Sequence, residues 1–344
     1  MAGTRTGRDE DALSEIVGFV LILALVVVAS TLYLMYVVPA EGREDEIEHM
    51  NKVQDRFVSY KTSVDGLWLR SLGDLSVSGT RGVSLSTSFD LGTGGGNTQS
   101  TGLFLSFMRP IGTAARMRVT DSQQVDRLTL YLDGSDPADN FDNVQLGQLS
   151  YETDNYYWIQ QRYEYSAGGI FLEQRGEGVS VKVAPSLSIY PVNRGTLEDP
   201  RVGLKLNLCL VNPTGEKALI GGTGPLRVET RLRENLDASI RNKAVDIITV
   251  RVDIRHNPDN SVNEEWKEAW RRVLNNAIPP KAGRFDPDDW FERTVDGKFV
   301  DETTNPEFLQ ITVKDHDDGD DTTHDLSLDL TRADLQVTFE YAED

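Results

Sequence analysis

An uncharged run of 23 residues, from Ile16 to Val38, constrains this chain more than any other feature. A helix rises about 1.5 Å per residue, so a helix of this length spans a hydrocarbon core of roughly 30 Å. The apolar part of a secretory signal usually covers only about 7–15 residues and is too short to account for the run. The sequence therefore predicts a transmembrane helix over residues 13–40.

Charges on the two sides of the run predict its orientation. Arg5 and Arg8 precede the run, and the residues that follow it are mainly acidic. Because basic residues favour the cytoplasmic side, we expect a single-pass protein of the cell membrane with a cytoplasmic N-terminus and an extracellular body. The formal net charge of −20 argues against a nucleic-acid partner for that body, since an acidic surface repels phosphates.

The residues that lead into the run carry a family resemblance. The segment Asp11-Ala12-Leu13-Ser14-Glu15-Ile16-Val17-Gly18, with the apolar run behind it, resembles the N-terminal domain of archaeal type IV pilins over about residues 8–40. That resemblance implies a leader over residues 1–12 and a prepilin peptidase that cuts between Ala12 and Leu13. It also implies membrane helices that bundle with those of other pilin-like subunits. The family usually places a basic residue where Asp11 stands.

Glu15 lies at the start of the implied mature helix and has two interpretations. Its carboxylate either sits in the headgroup zone of the membrane or neutralises the freed amino terminus of a neighbouring subunit. A charge at a helix end is tolerated in the interface, so both interpretations stay open.

A second helical pattern follows Pro39, a residue that limits a straight continuation of the membrane helix. Apolar residues recur there at spacings of three and four, which predicts an amphipathic stalk helix over residues 41–73. They are Ile47, Met50, Val53, Phe57, Tyr60, Val64 and Leu67. The stalk either packs on its own domain or forms an interchain coil. The first is favoured, because a sustained coil needs more heptads.

The remaining residues, 74–344, alternate apolar and polar side chains with a period of two, as in the stretches 128–132, 248–254 and 335–341. Such alternation buries one face and is typical of antiparallel sheets. We therefore predict a mainly β fold, a sandwich or barrel, built as one or two domains. One short inserted helix is expected, capped by Ser261 and stopped by Pro279.

Motifs of catalysis are absent from the sequence: there is no HExxH, no P-loop and no GxSxG. Cys209, the only cysteine, excludes a disulfide framework. We expect no enzymatic activity and no organic cofactor. The acidic run with Asp315, Asp317 and Asp320 is the candidate for a Ca²⁺ site, since this ion prefers several carboxylates. A solvated turn is the favoured alternative, because charge runs usually face water.

An aromatic-rich segment, Tyr151 to Tyr165, has two interpretations. Its rings either fill the β core, which is favoured on β propensity, or stack on a sugar or another surface.

Together these features predict a non-enzymatic archaeal cell-surface protein that is pilin-like and anchored through its N-terminal helix. Its length and the absence of glycosylation sequons favour a minor pilin or pseudopilin with a structural or adhesive role. The expected partners are membrane lipid, other pilin-like subunits and a prepilin peptidase. The main alternative is a monomeric, membrane-anchored binding protein that joins no filament. A second is an ectoenzyme with paired carboxylates.

Overall fold

The computed structural model describes most of the chain. The described residues are 6–73, 84–93, 109–120, 125–133, 141–193, 201–215, 219–233, 240–255, 257, 259, 261–294, 296–301, 307–315 and 325–341. Within them, one long N-terminal helix is followed by β-sheets that include a curled half-barrel. The predicted mainly β fold with a long N-terminal helix is confirmed.

The N-terminal helix is continuous through three parts. These are α1 (Thr6–Leu32), a π-helical turn (Tyr33–Val37) and α2 (Val38–Gly73). Pro39 has no N–H, and its ring would clash with the carbonyl of Met35 in a regular α-helix. The π turn shifts the hydrogen-bond register just before it, with the Val38 N–H bonded to the Tyr33 carbonyl. The proline therefore changes the local winding and does not end the helix.

Sixteen strands follow the helix in the described residues. In chain order they are β1 (Ser84–Asp90), β2 (Ala115–Thr120), β3 (Arg127–Asp133), β4 (Phe141–Gln145), β5 (Gln148–Thr153), β6 (Gln161–Ser166), β7 (Gly169–Gln174), β8 (Gly178–Val183), β9 (Leu187–Asn193), β10 (Val202–Thr214), β11 (Leu219–Gly222), β12 (Pro225–Leu232), β13 (Ile240–Ala244), β14 (Ile247–Asp253), β15 (Phe308–Lys314) and β16 (Leu326–Tyr341). They form three sheets. The strand orders are β1-β12-β16-β10-β9 with β13 also on β16, β11-β2-β5-β6-β7-β8, and β15-β14-β3-β4.

One strand pair departs from the antiparallel expectation. β10 and β16 run parallel, with Leu204 opposite Leu326 and Thr214 opposite Gln336. The other pairings among the described strands are antiparallel. Alternation along a strand reports which face is buried and carries no information on the direction of its neighbour. The parallel pair needs a long connection, and residues 215–325 supply it.

Two hydrophobic clusters make the core, and we name them after the helices that cover them, α2 and α3 (Glu264–Ala277). The α2 core includes Met50, Val53, Phe57, Tyr60, Val64, Phe89, Tyr151, Tyr163, Tyr165, Val211 and Leu335. The α3 core includes Leu128, Leu130, Phe171, Leu204, Leu206, Ile248, Val250, Trp266, Trp270, Leu309 and Leu328. Strand β10 serves both, since its alternate leucines from Leu204 to Leu210 face the α3 core while Cys209 and Val211 face the α2 core.

The inserted helix, α3 (Glu264–Ala277), is present with a different cap from the one expected. The Asn263 side chain accepts the N–H of Trp266, whereas the Ser261 hydroxyl donates to Asp259. Asn263 stands directly before the helix, where an N-cap side chain reaches the first free amides. A one-turn helix, α4 (Pro287–Trp290), follows.

Candidate functional site: the exposed apolar helix and its junction with the β domain

From Ile16 to Val37 the uncharged run of the N-terminal helix is not buried, and burial begins at Val38, which is 7% exposed. Large apolar side chains are exposed around the whole helix before that point, with Phe19 at 67%, Leu25 at 71% and Met35 at 64%. Its most apolar window has a mean hydropathy of 2.7, and none of that window is buried. The helix is long and apolar enough to span a membrane. A core helix of a water-soluble protein would bury at least one face.

Beyond the apolar run, α2 packs on its own β domain. Phe57, Tyr60 and Val64 are completely buried there. The Phe57 ring meets Phe89 edge-on at 5.2 Å between centroids, and Tyr60 meets Tyr165 at 5.3 Å. Burying one such side chain contributes about 1.5–3 kcal/mol. The favoured interpretation of the stalk pattern therefore describes α2, whose apolar stripe is covered by its own domain.

Glu46 makes the most specific contact of the junction. Its side chain is 1% exposed and lies under the loop between β5 and β6. Its carboxylate accepts backbone N–H groups from Tyr156 at 2.7 Å, Tyr157 at 2.9 Å and Trp158 at 2.6 Å. A carboxylate in a ring of backbone amides makes charge-assisted hydrogen bonds, which are stronger than neutral ones. Glu46 thus ties α2 to this loop.

Two neighbours of Glu46 shape the same contact. Gly42 lies so close to the ring of Tyr157 that a Cβ added there would stand 2.4 Å from the ring carbon Cδ2. Arg43 places its guanidinium 4.2 Å from the ring centroid of Trp158, a cation–π distance. In the first turns of α2 after Pro39, Gly42 therefore contacts Tyr157 and Arg43 contacts Trp158 in the loop.

His49 extends the junction to strand β1. Its Nε2 lies 2.7 Å from the Tyr151 hydroxyl. That hydroxyl also donates to the Asp90 carbonyl at 2.7 Å and accepts the Gly92 N–H at 3.1 Å. Because the hydroxyl proton goes to Asp90, His49 is the donor through Nε2. Burial lowers the pKa of His49, with nearby Asp90 opposing that shift and Lys52 adding to it.

The residues of the expected processing site all lie within α1. Ala12 and Leu13 belong to its helical backbone, and Glu15 is exposed on its surface. The helix begins at Thr6, well before Glu15, where the mature helix was expected to start. Glu15 lies outside the residues that contact the β domain.

Asp315, the first residue of the predicted calcium site, forms hydrogen bonds to the backbone at the start of β16. Its carboxylate accepts the N–H groups of Asp325 at 3.1 Å and Leu326 at 3.1 Å, where β16 begins. Asp317 and Asp320 lie outside the described residues. Among the described residues, no group of three or more His, Cys, Asp or Glu side chains could hold a metal ion.

The aromatic-rich segment divides between core and surface. Tyr151, Tyr163 and Tyr165 are buried in the α2 core, which fits the favoured interpretation, whereas Tyr156 is 66% exposed. Cys209 is buried as well, and burial raises the pKa of its thiol to about 12. A thiol that stays protonated is a poor nucleophile.

A buried ion-pair cluster escaped the sequence analysis. Arg255 binds Asp126 at 3.2 Å and Glu164 at 2.7 Å, with all three side chains at most 7% exposed. The guanidinium stacks 3.7 Å from the ring centroid of Trp266, and Trp270 donates to Asp126 at 2.8 Å. The cluster joins α3 to two sheets. A local sequence signal for it does not exist, because its members come from distant segments.

One shallow groove, of about 480 Å³, is lined by α4 and its neighbours. Of its carboxylates, Asp288 pairs with Arg293, and Glu292 pairs with Lys314 at 3.2 Å. Ion pairs at an exposed surface contribute little to stability. This groove offers no arrangement that favours one reaction over another.

No protein-family model, no curated protein and no solved structure matches the chain. A functional proposal therefore rests on the exposed helix, on its junction with the β domain and on the sequence that leads into it.

Proposed function

We propose that the protein is a non-enzymatic surface protein of archaeal pilin type, held in the cell membrane by the helix over residues 13–40. Its N-terminus lies in the cytoplasm and its β domain lies outside the cell. The observation that carries the proposal is the exposed, uncharged helix that continues without a break into α2, which is docked on the β domain. An anchor joined in this way holds the domain at a fixed distance from the membrane.

The orientation rests on charge. Arg5 and Arg8 stand on one side of the apolar run, and an acidic flank stands on the other. Moving the β domain to the cytoplasm would place those arginines outside, against the usual distribution of basic residues.

The pilin part of the proposal rests on the segment from Asp11 to Gly18. A prepilin peptidase cuts between Ala12 and Leu13, and the mature helices then bundle with those of other pilin-like subunits, with lipid as the partner before assembly. In such a bundle the exposed apolar side chains of α1 are covered by neighbouring helices. A minor pilin or pseudopilin with a structural or adhesive role fits the large β domain.

The mass of the native N-terminus tests this proposal. The protein is purified from its own membranes, and its N-terminal peptide is identified by mass spectrometry. A chain that begins at Leu13 supports the pilin assignment. A chain that begins at Met1 or Ala2 contradicts it and favours the alternative, a monomeric anchored binding protein that joins no filament.

A further inference from the structure

The end of the β domain nearest the membrane can be located from the contacts of α2. Gly42, Arg43 and Glu46 of the helix contact the loop that joins β5 to β6. Farther along the helix, Gln54 accepts a hydrogen bond from the Tyr163 hydroxyl in β6 at 2.9 Å. Tyr60 lies against Tyr165, farther along the same strand. The helix therefore runs along β6 in the same direction as the strand. The start of β6 is the end that faces the apolar run, and we name it the membrane-proximal end.

Strand pairing extends this end to neighbouring segments. Ala115 pairs with Thr153, so the residues just before β2 lie beside the β5–β6 loop. The N–H of Ile111 donates to the Tyr157 hydroxyl at 3.3 Å, which ties that segment to the loop directly. The membrane-proximal end therefore includes Ile111 and Tyr156, of which Tyr156 is bonded to Glu46 of α2 and Ile111 to the loop.

These two residues carry the most exposed large apolar side chains of the described β domain. Ile111 is 62% exposed and Tyr156 is 66% exposed. Leu219, at 52%, comes next among the described residues of the domain. An isolated exposed apolar side chain is ordinary, but the two highest exposures meet at the same end, beside the point where the helix enters the membrane.

The nearest approach of this end to the apolar run lies within the thickness of the headgroup layer. Gly42, which contacts Tyr157, stands four residues beyond Val38, or about 6 Å along the helix axis. The polar layer on each side of a bilayer is about 5–7 Å thick. Tyrosine is enriched in that layer, since its ring is apolar and its hydroxyl is polar.

We infer that the membrane-proximal end of the β domain rests on the outer headgroup layer of the membrane that the helix crosses, with Ile111 and Tyr156 as its lipid contacts. This inference rests on the proposed anchoring. The acidic flank with Glu41, Glu44 and Asp45 repels anionic lipid, so the surface fits a zwitterionic bilayer. The contact sets the tilt of the domain, because the Glu46 hydrogen bonds couple the loop to the helix.

Spin labels in the full-length chain test the inference. Cys209 is replaced by Ala, and single cysteines are placed at Ile111, Tyr156, Val28 and Tyr190. The protein is reconstituted in nanodiscs of phosphatidylcholine. The collision rate of each label with oxygen and with a water-soluble nickel chelate then reports its depth.

Tyr190 is the matched control, since it is 38% exposed and lies at the opposite end of the fold. In the sheet, Tyr190 pairs with Lys205, and Lys205 pairs with Ser327 near the start of β16. Tyr341, the last residue of β16, pairs with Leu226 beside the membrane-proximal end. The separation along β16 is about 45 Å at 3.3 Å per residue. Val28, inside the apolar run and 58% exposed, reports insertion.

The expected result is a label at Val28 at hydrocarbon depth and labels at Ile111 and Tyr156 at headgroup depth. Those two labels then collide with the nickel chelate several-fold less often than the label at Tyr190. If the Val28 label is inserted while all three domain labels are equally accessible, the inference is overturned and the anchoring stands. If the Val28 label stays in water, the anchoring fails and the inference fails with it.

Discussion

The carboxylate of Glu46 accepts the backbone N–H of Trp158 at 2.6 Å, although the two residues are 112 positions apart. Tyr156 and Tyr157 donate to the same carboxylate. This contact stands where the apolar part of the helix gives way to the part docked on the β domain. It fixes the orientation of the exposed helix relative to the β domain.

Replacement of Glu46 by Ala leaves three backbone N–H groups without their acceptor. Because buried unpaired donors cost free energy, we expect E46A to lower the free energy of unfolding by about 2–4 kcal/mol. The measurement is urea unfolding of the full-length protein in detergent, followed by near-ultraviolet circular dichroism.

The control for Glu46 is Glu48, on the same helix. Glu48 pairs only with Lys52 in the described structure, and both side chains are largely exposed. E48A is expected to leave the unfolding midpoint unchanged. Equal effects of the two substitutions would contradict the assignment of Glu46 as the specific tie.

The sequence could predict those parts of the fold that follow from local patterns. A period of two identified strands such as Leu128–Leu132, and spacings of three and four identified the stripe from Met50 to Val64, because burial of one face leaves that trace. Glu46 carries no such trace. It looks like the other acids of its flank, and only a loop more than 100 positions away distinguishes it.

The parallel pairing of β10 with β16 and the Arg255 cluster were missed for the same reason. Both depend on which distant segments become neighbours, and a residue's own neighbourhood in sequence contains no record of that. The candidate site divides in the same way. The apolar run was predictable from its length alone, whereas its junction with the domain was not.

Gly42 and Gly66 form a matched pair on α2. Alanine in a helix is favoured over glycine by about 1 kcal/mol, and a Cβ on Gly66 meets nothing within 4 Å. We therefore expect G66A to raise stability by about that amount. A Cβ on Gly42 would collide with the Tyr157 ring, so G42A is expected to lower stability by about 1–3 kcal/mol. Thermal unfolding of both variants measures the difference, and a stabilising G42A would contradict the docking of the loop.

Acid is expected to weaken the junction through His49. Burial, the largest cause, lowers its folded-state pKa below the ordinary value of about 6.5. As the pH falls below about 6.5, the unfolded chain binds a proton that the folded chain does not, so stability decreases. H49Q keeps an N–H donor for Tyr151 and cannot titrate. Melting temperatures between pH 7.5 and 5.5 should fall more for the native protein than for H49Q, and equal slopes would contradict the prediction.

A charge in the apolar run is expected to impair insertion. Arginine at the centre of a membrane helix costs about 2.5–3.5 kcal/mol on insertion scales. L25R should therefore reduce the share of protein found in the membrane fraction. L69R is the control, since Leu69 is also exposed, at 54%, but lies on α2 beyond the junction. A membrane fraction that is unchanged in L25R, or reduced equally in both variants, would contradict the assignment.

Protease treatment of intact cells followed by alkaline washing of their membranes tests the central claim most directly. We predict that the protease removes the β domain from outside and leaves a fragment with the apolar run, which stays in the membrane at high pH. A β domain that is protected in intact cells, or a helix that washes off with peripheral proteins, would contradict the account.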